Sequence, residues 1–223
     1  MKITWRSEAL SLILILAMFA MSAITWPIAP DSIPIHWDIT GQADGFGGKF
    51  EGLLLTPLMT VGIYLMLLFI PRIDPKRANY DKFAGVYRII RTIMVVFMAA
   101  LHGVIIASIH GVDINVGTAV MVMAGIMLAV LGNYFGKLKP TWFVGIRTPW
   151  TLTSDLSWKK THQLGGKIFV VFGILMALAG IIGQDWFFYV IFGLFFAAIM
   201  FLVFYSYIVW KSDPERGNGL KKS

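Results

Sequence analysis

The chain has no cysteine, which excludes a disulfide scaffold, a thiolate metal site and any cysteine nucleophile or redox centre. It is poor in charge: 14% of its 223 residues are Asp, Glu, Lys or Arg, against ~25% in an ordinary soluble domain. It has no glycine-rich phosphate loop, no HExxH and no GxSxG. Gly132-Asn133-Tyr134-Phe135-Gly136-Lys137 has the wrong spacing for a P-loop. No Ser-His set or paired aspartates are placed for an intramembrane hydrolase, so the chain reads as non-enzymatic and without a cofactor. What it has in quantity is apolar surface: 57% hydrophobic residues, 22 glycines besides, and a mean hydropathy of +0.74. A water-soluble globule cannot hide that much, and a disordered chain would not carry it.

Six charge-free apolar runs are long enough for ~30 Å of hydrocarbon. They are Ala9 to Ile28, Leu53 to Ile70, Thr92 to Ile109, Ile114 to Gly132, Ile168 to Gly183 and Trp186 to Val209. None alternates as barrel strands do. The expected fold is therefore all-α, a polytopic membrane protein of six transmembrane helices. Lys2, Arg6 and Ala20-Met21-Ser22 give the first run some look of a signal peptide. The run exceeds the usual ~7–15 apolar residues of such peptides, and a retained helix is the better reading.

Placing both termini in the cytoplasm puts eighteen of the nineteen Lys and Arg inside, leaving only Lys49 outside. The outer side then holds six acids against that one lysine, net −5, and the inner side eighteen bases against six acids, net +12. The excess of base is a topology signal and not a nucleic-acid footprint. The inner bases would also suit anionic lipid headgroups. The span interiors carry no Asp, Glu, Lys or Arg, so the buried charges typical of pumps are missing. His102 is the one titratable group well inside a span, with His110 one or two turns beyond. A bond to a neighbouring helix explains it more simply than a proton relay or a metal.

Four segments follow: a two-helix module, residues 1–73, with an outer loop at 27–52; the third and fourth spans, 74–132; an inner loop plus the last two spans, 133–210; and a polar tail, 211–223, read as disordered. Small residues recur at four-residue spacing, as Gly125/Ala129, Gly173/Ala177, Ala179/Gly183 and Gly193/Ala197, a pattern that lets helices approach closely.

The two long loops carry the candidate functional residues. The outer one holds Pro34, His36, Trp37, Asp38, Gly41, Asp44, Gly45 and Lys49. Its prolines and Gly/Asp pairs favour tight turns, so it reads as an ordered cap. His36 and Asp38 face one way on an extended strand, but two ligands are too few for a metal site. The inner loop, from Asn133 on, holds Trp142, Gly145, Arg147, Thr148, Pro149, Trp150, Thr151, Trp158, Thr161 and His162. Its three tryptophans among bases suit a membrane interface. Thr153-Ser154-Asp155 is placed to cap a short helix with Trp158, Thr161 and His162 on one face. Arg147, the one cation in an apolar stretch, suits lipid phosphate, a partner's carboxylate or a helix C-terminus.

The run from Trp142 to Leu152, Trp-Phe-Val-Gly-Ile-Arg-Thr-Pro-Trp-Thr-Leu, with Trp158, Lys160, Thr161, His162 and Gly165-Gly166 after it, closely resembles the SdpI family. Ile-Pro-Ile-His-Trp-Asp, then Asp44-Gly45 and Lys49, resembles the uncharacterised loop module preceding it in many members, with Asp38 where many relatives have asparagine. The resemblance implies an immunity protein of the bacterial cell membrane. Its partners would be membrane lipids, a secreted peptide toxin at the outer loop, and a cytoplasmic transcriptional repressor held at the inner one. The rival reading is a small-solute or lipid-handling transporter, with Arg147 on phosphate and His102 lining a path.

Overall fold

A computed structural model describes residues 4–38 and 41–216. Lys2, loop residues 39–40 and tail residues 217–223 lie outside the described residues. The elements are α1 (Trp5–Thr25), β1 (Ile33–Trp37), β2 (Ala43–Gly47), α2 (Lys49–Leu53), α3 (Leu55–Ile73), a 3₁₀ segment (Arg77–Phe83), α4 (Ala84–Ile109), α5 (Val116–Phe135), α6 (Pro149–Thr153), α7 (Asp155–Ile182) and α8 (Asp185–Lys211). Six of the helices are long and apolar enough to cross a membrane, so the chain is an all-α, multi-pass membrane protein. The strands form a small antiparallel hairpin, Ile33 opposite Gly47 and Trp37 opposite Ala43. It is the ordered cap expected of the outer loop.

Side-chain caps start several of the helices. Thr4 and Ser7 form a reciprocal capping box on α1, Asn115 caps α5, and Ser154 caps α7. Gly183 ends α7 at φ +68, a left-handed turn that suits glycine. α7 is 28 residues long and α4 is 26, about 42 and 39 Å at ~1.5 Å per residue. Both outrun the lipid core. The short capped helix expected after Ser154 is thus the first turns of the fifth span itself.

The tightest packing joins α5 and α7, which run antiparallel. A Cβ on Gly125 would lie 2.5 Å from the Gly173 carbonyl oxygen, and one on Gly132 would lie 2.7 Å from that of Gly166. One on Gly180 would lie 3.2 Å from the Thr118 oxygen. Thr118, Gly125 and Gly132 on α5 thus meet Gly180, Gly173 and Gly166 on α7, each set at seven-residue steps. That is the spacing of a left-handed helix pair, with glycine removing the side chains that would hold the backbones apart. Of the expected four-residue pairs, Gly125/Ala129 and Gly173/Ala177 lie in this seam. A Cβ on Gly193 would meet nothing within 4 Å, and the same holds for Gly183, so those two serve no helix contact.

α1, α3 and α4 pack as a second group. Here the expectation of uncharged spans fails. The apolar runs start one residue after Glu8 and one after Arg91, whereas the helices extend past both. The two side chains meet in the packed interior. Hydropathy ends a span at a charge, but a paired charge can be buried against protein. The start of the tail is not wholly free of the bundle: Asp213 is buried and accepts a hydrogen bond from Ser154 at the start of α7.

Candidate functional site

The loops converge by topology at two ends of the bundle, one acidic and one basic. At the acidic end the hairpin sets Gly45 opposite His36, where a Cβ would come 2.8 Å from that of His36. His36 bonds through Nδ1 to Asp44 Oδ1 at 2.5 Å, with the imidazole 72% exposed. Cross-strand pairing therefore selects Asp44, and not Asp38, as the carboxylate beside His36. Asp38 instead closes the turn: its Oδ1 accepts from the Gln42 amide at 2.9 Å, and its carbonyl accepts from the amide of Gly41, at φ +84. Pro34 pairs with Phe46. Lys49 reaches the Trp26 carbonyl at 3.5 Å and lies 3.9 Å from Asp31. No cluster of three His, Asp or Glu forms among the described residues.

At the basic end the inner loop is latched to α7 by His162. Its Nε2 accepts the Ile146 amide at 2.8 Å, and its Nδ1 donates to the Trp158 carbonyl at 2.8 Å. The amide can only donate and the carbonyl only accept, so the two partners together fix a neutral tautomer. The ring stacks on Trp158 at 4.1 Å between centroids. Gly145, at φ +116, presses its backbone on the imidazole, where a Cβ would come 2.4 Å from Nε2. Trp158 is buried, and its indole donates to the Leu138 carbonyl at 3.0 Å. Its ring is thus part of the protein core, not of the headgroup layer. Thr161, on the same buried face of α7, is fully enclosed.

Thr148 and Thr151 form a capping box around Pro149, which starts α6. The Thr148 hydroxyl shares a hydrogen bond with Ser206 at 2.9 Å, and that of Thr151 donates to the Ile146 carbonyl at 2.9 Å. The latch leaves Arg147 exposed, donating to the Trp142 carbonyl at 2.8 Å. Trp142 is exposed, and half-buried Trp150 packs on Tyr207 at 5.2 Å. Asn133 lies apart, exposed on the last turn of α5.

A central residue of this end went unread in the sequence. Asp74 is buried, and its carboxylate accepts from the Tyr80 hydroxyl at 2.9 Å, the Trp142 amide at 3.0 Å and the Lys76 amide at 2.7 Å. It ties the segment after α3 to the inner loop. In the sequence the Asp74-Pro75 pair signals a turn, and nothing local shows an aspartate about to be enclosed.

His102 is buried and bonds α1 through Ser22 Oγ at 3.1 Å and the Met18 carbonyl at 3.2 Å, the helix-to-helix role expected of it.

These features define a six-helix membrane protein capped by an acidic hairpin at one end and closed by a latched basic loop at the other. Residues 137–206 match the SdpI/YfhL protein family, and residues 13–61 match a domain of unknown function, DUF1648. The first match takes in the latched loop, α7 and most of α8, and the second most of α1, the hairpin, α2 and the start of α3. The resemblance read from the inner and outer motifs is therefore borne out. No curated protein and no solved structure matches the chain.

Proposed function

We propose that this is an SdpI-like immunity and signalling protein of the bacterial cell membrane, acting without catalysis. The hairpin end faces outward and meets a secreted peptide toxin. The basic end faces the cytoplasm, where Arg147, Trp142 and Trp150 present a surface to headgroups and to a repressor partner. The observation that carries this reading is the SdpI/YfhL match over residues 137–206, which coincides with the latched loop. The charge difference between the two ends supports the orientation. His102 bonds Ser22 and the Met18 carbonyl of α1 through Nε2, which supports a helix-to-helix role over a transport path.

The test is expression in a toxin-sensitive bacterium that lacks its own immunity gene. Survival in the presence of toxin should rise with the wild-type chain and fall back with a hairpin variant such as Trp37→Ala. Unchanged survival, with the wild-type protein demonstrated in the membrane, overturns the proposal.

A further inference from the structure

An apolar cavity of about 230 Å³ lies between α5, α7 and α8, walled by Met121, Phe172, Met176 and Phe195 among others. A second hollow of about 510 Å³ adjoins it toward the acidic end and is walled by Ile35, His36, Trp37 and Asp38. Met121 and Phe188 line both, so the two hollows adjoin and share a wall. Its cause is in the packing. Glycine pairs lock α5 to α7, while α8 rests on α7 through Phe195, whose ring lies 5.3 Å from those of Phe169 and Phe172. A wedge is left beside α5, lined by methionine and phenylalanine side chains that can adapt to an occupant.

Taken together, the two hollows are amphiphilic. A dry cavity of ~150 Å³ is already enough for an aromatic hydrocarbon the size of benzene. The mouth contributes the Asp38 carboxylate, the Trp37 ring and His36, which carries Asp44 behind it, and no Lys or Arg is among its walls in the described residues. Asp31, Glu51 and Asp113 add negative charge at the same end, against the one lysine there, Lys49, which lies 3.9 Å from Asp31. A cationic head placed there gains from the carboxylates and from the face of the indole, while an anionic head is repelled.

We propose that these adjoining hollows together bind a single-chain cationic amphiphile, its apolar chain among Met121, Phe172, Met176 and Phe195, past the adaptable Met121 side chain, and its positive head against Trp37 and Asp38. The proposal goes beyond the immunity reading and does not depend on it, because the occupant is defined by its chemistry alone.

The experiment uses the full-length protein in phosphatidylcholine nanodiscs with two photoreactive probes. Both carry a dodecyl chain with a terminal diazirine; one has a trimethylammonium head and the other a sulfate. After illumination, labelled peptides are mapped by mass spectrometry at equal membrane content of each probe. The ammonium probe should label residues 121–128 and 172–176 about fivefold more than the sulfate probe. Ala124→Phe, which fills the cavity, should abolish that labelling. Asp38→Asn with Asp44→Asn should remove the preference between heads. If Ala124→Phe fails to reach the membrane, Met176→Trp replaces it. Equal labelling by both probes means that an ordinary lipid chain occupies the space and overturns the proposal. So does labelling elsewhere only, or labelling that survives the filled cavity.

Discussion

Arg91 of α4 donates to Glu8 of α1 at 2.5 Å, and the two side chains are 1% and 5% exposed. The Tyr64 hydroxyl completes the carboxylate's shell at 3.1 Å, and the guanidinium carbon lies 5.9 Å from the rings of Tyr64 and Tyr87. Three helices of the amino-terminal half are thereby joined through one pair of charges. Removing one partner leaves the other charge buried alone, at a cost of ~3–5 kcal/mol, whereas removing both leaves no orphan. Glu8→Gln and Arg91→Met should each lower the thermal midpoint in detergent, and the double variant should recover most of the loss. Strictly additive losses would show that the two residues stabilise the fold independently.

His162 holds the inner loop through two hydrogen bonds and a stack. His162→Phe keeps the aromatic area but strands the Ile146 amide, which costs ~1–3 kcal/mol where the group stays buried. The loop should then open more often, and exchange of the Ile146 amide should speed up by about tenfold or more. Trypsin should also cut faster after the exposed Arg147. Exchange unchanged at Ile146, with the variant folded, would remove the latch as the determinant of loop order.

The six spans were legible because lipid-facing surface must be apolar, and hydropathy measures that requirement directly. Their true lengths were not. Helix α7 starts at Asp155 and not Ile168, because Ser157, Trp158, Thr161 and His162 are enclosed by protein, where Ser157, Trp158 and His162 find hydrogen-bond partners. The same applies to Arg91, which looks like a boundary until Glu8 arrives from eighty-three positions away. In the hairpin, a spacing of two pointed to Asp38, whereas strand pairing delivered Asp44 to His36. The glycine seam was present in the sequence as the seven-residue series Gly166, Gly173 and Gly180, but a four-residue search finds only part of it. Motif residues split along similar lines. Trp158, Gly145 and His162 form the latch, while Trp142 and Arg147 are what it displays.

The seam gives a test with its own control. A Cβ on Gly173 would lie 2.5 Å from both the Ala129 nitrogen and the Gly125 oxygen, backbone atoms that cannot turn aside. Gly173→Ala should therefore lower the thermal midpoint, by the equivalent of ~1–3 kcal/mol for an overpacked interior. Gly193→Ala, in open space on α8, should be neutral or slightly stabilising, because alanine favours helix over glycine by ~1 kcal/mol. Equal effects at the two positions would mean that α5 and α7 are not held by close backbone contact.

The orientation of the bundle can be tested cleanly because the chain lacks cysteine, so any introduced thiol is the only one. Phe46 on the hairpin is 59% exposed, and Asp113, between α4 and α5, is also exposed. Lys139 on the inner loop and Glu215 after α8 are exposed at the opposite end. Lysine and arginine resist translocation, and among the described residues all but Lys49 belong to that second end or to segments that join it. Phe46→Cys and Asp113→Cys should therefore react with a membrane-impermeant maleimide on intact cells, and Lys139→Cys and Glu215→Cys only after permeabilisation. The reverse pattern would place the hairpin in the cytoplasm, where a secreted toxin could not meet it.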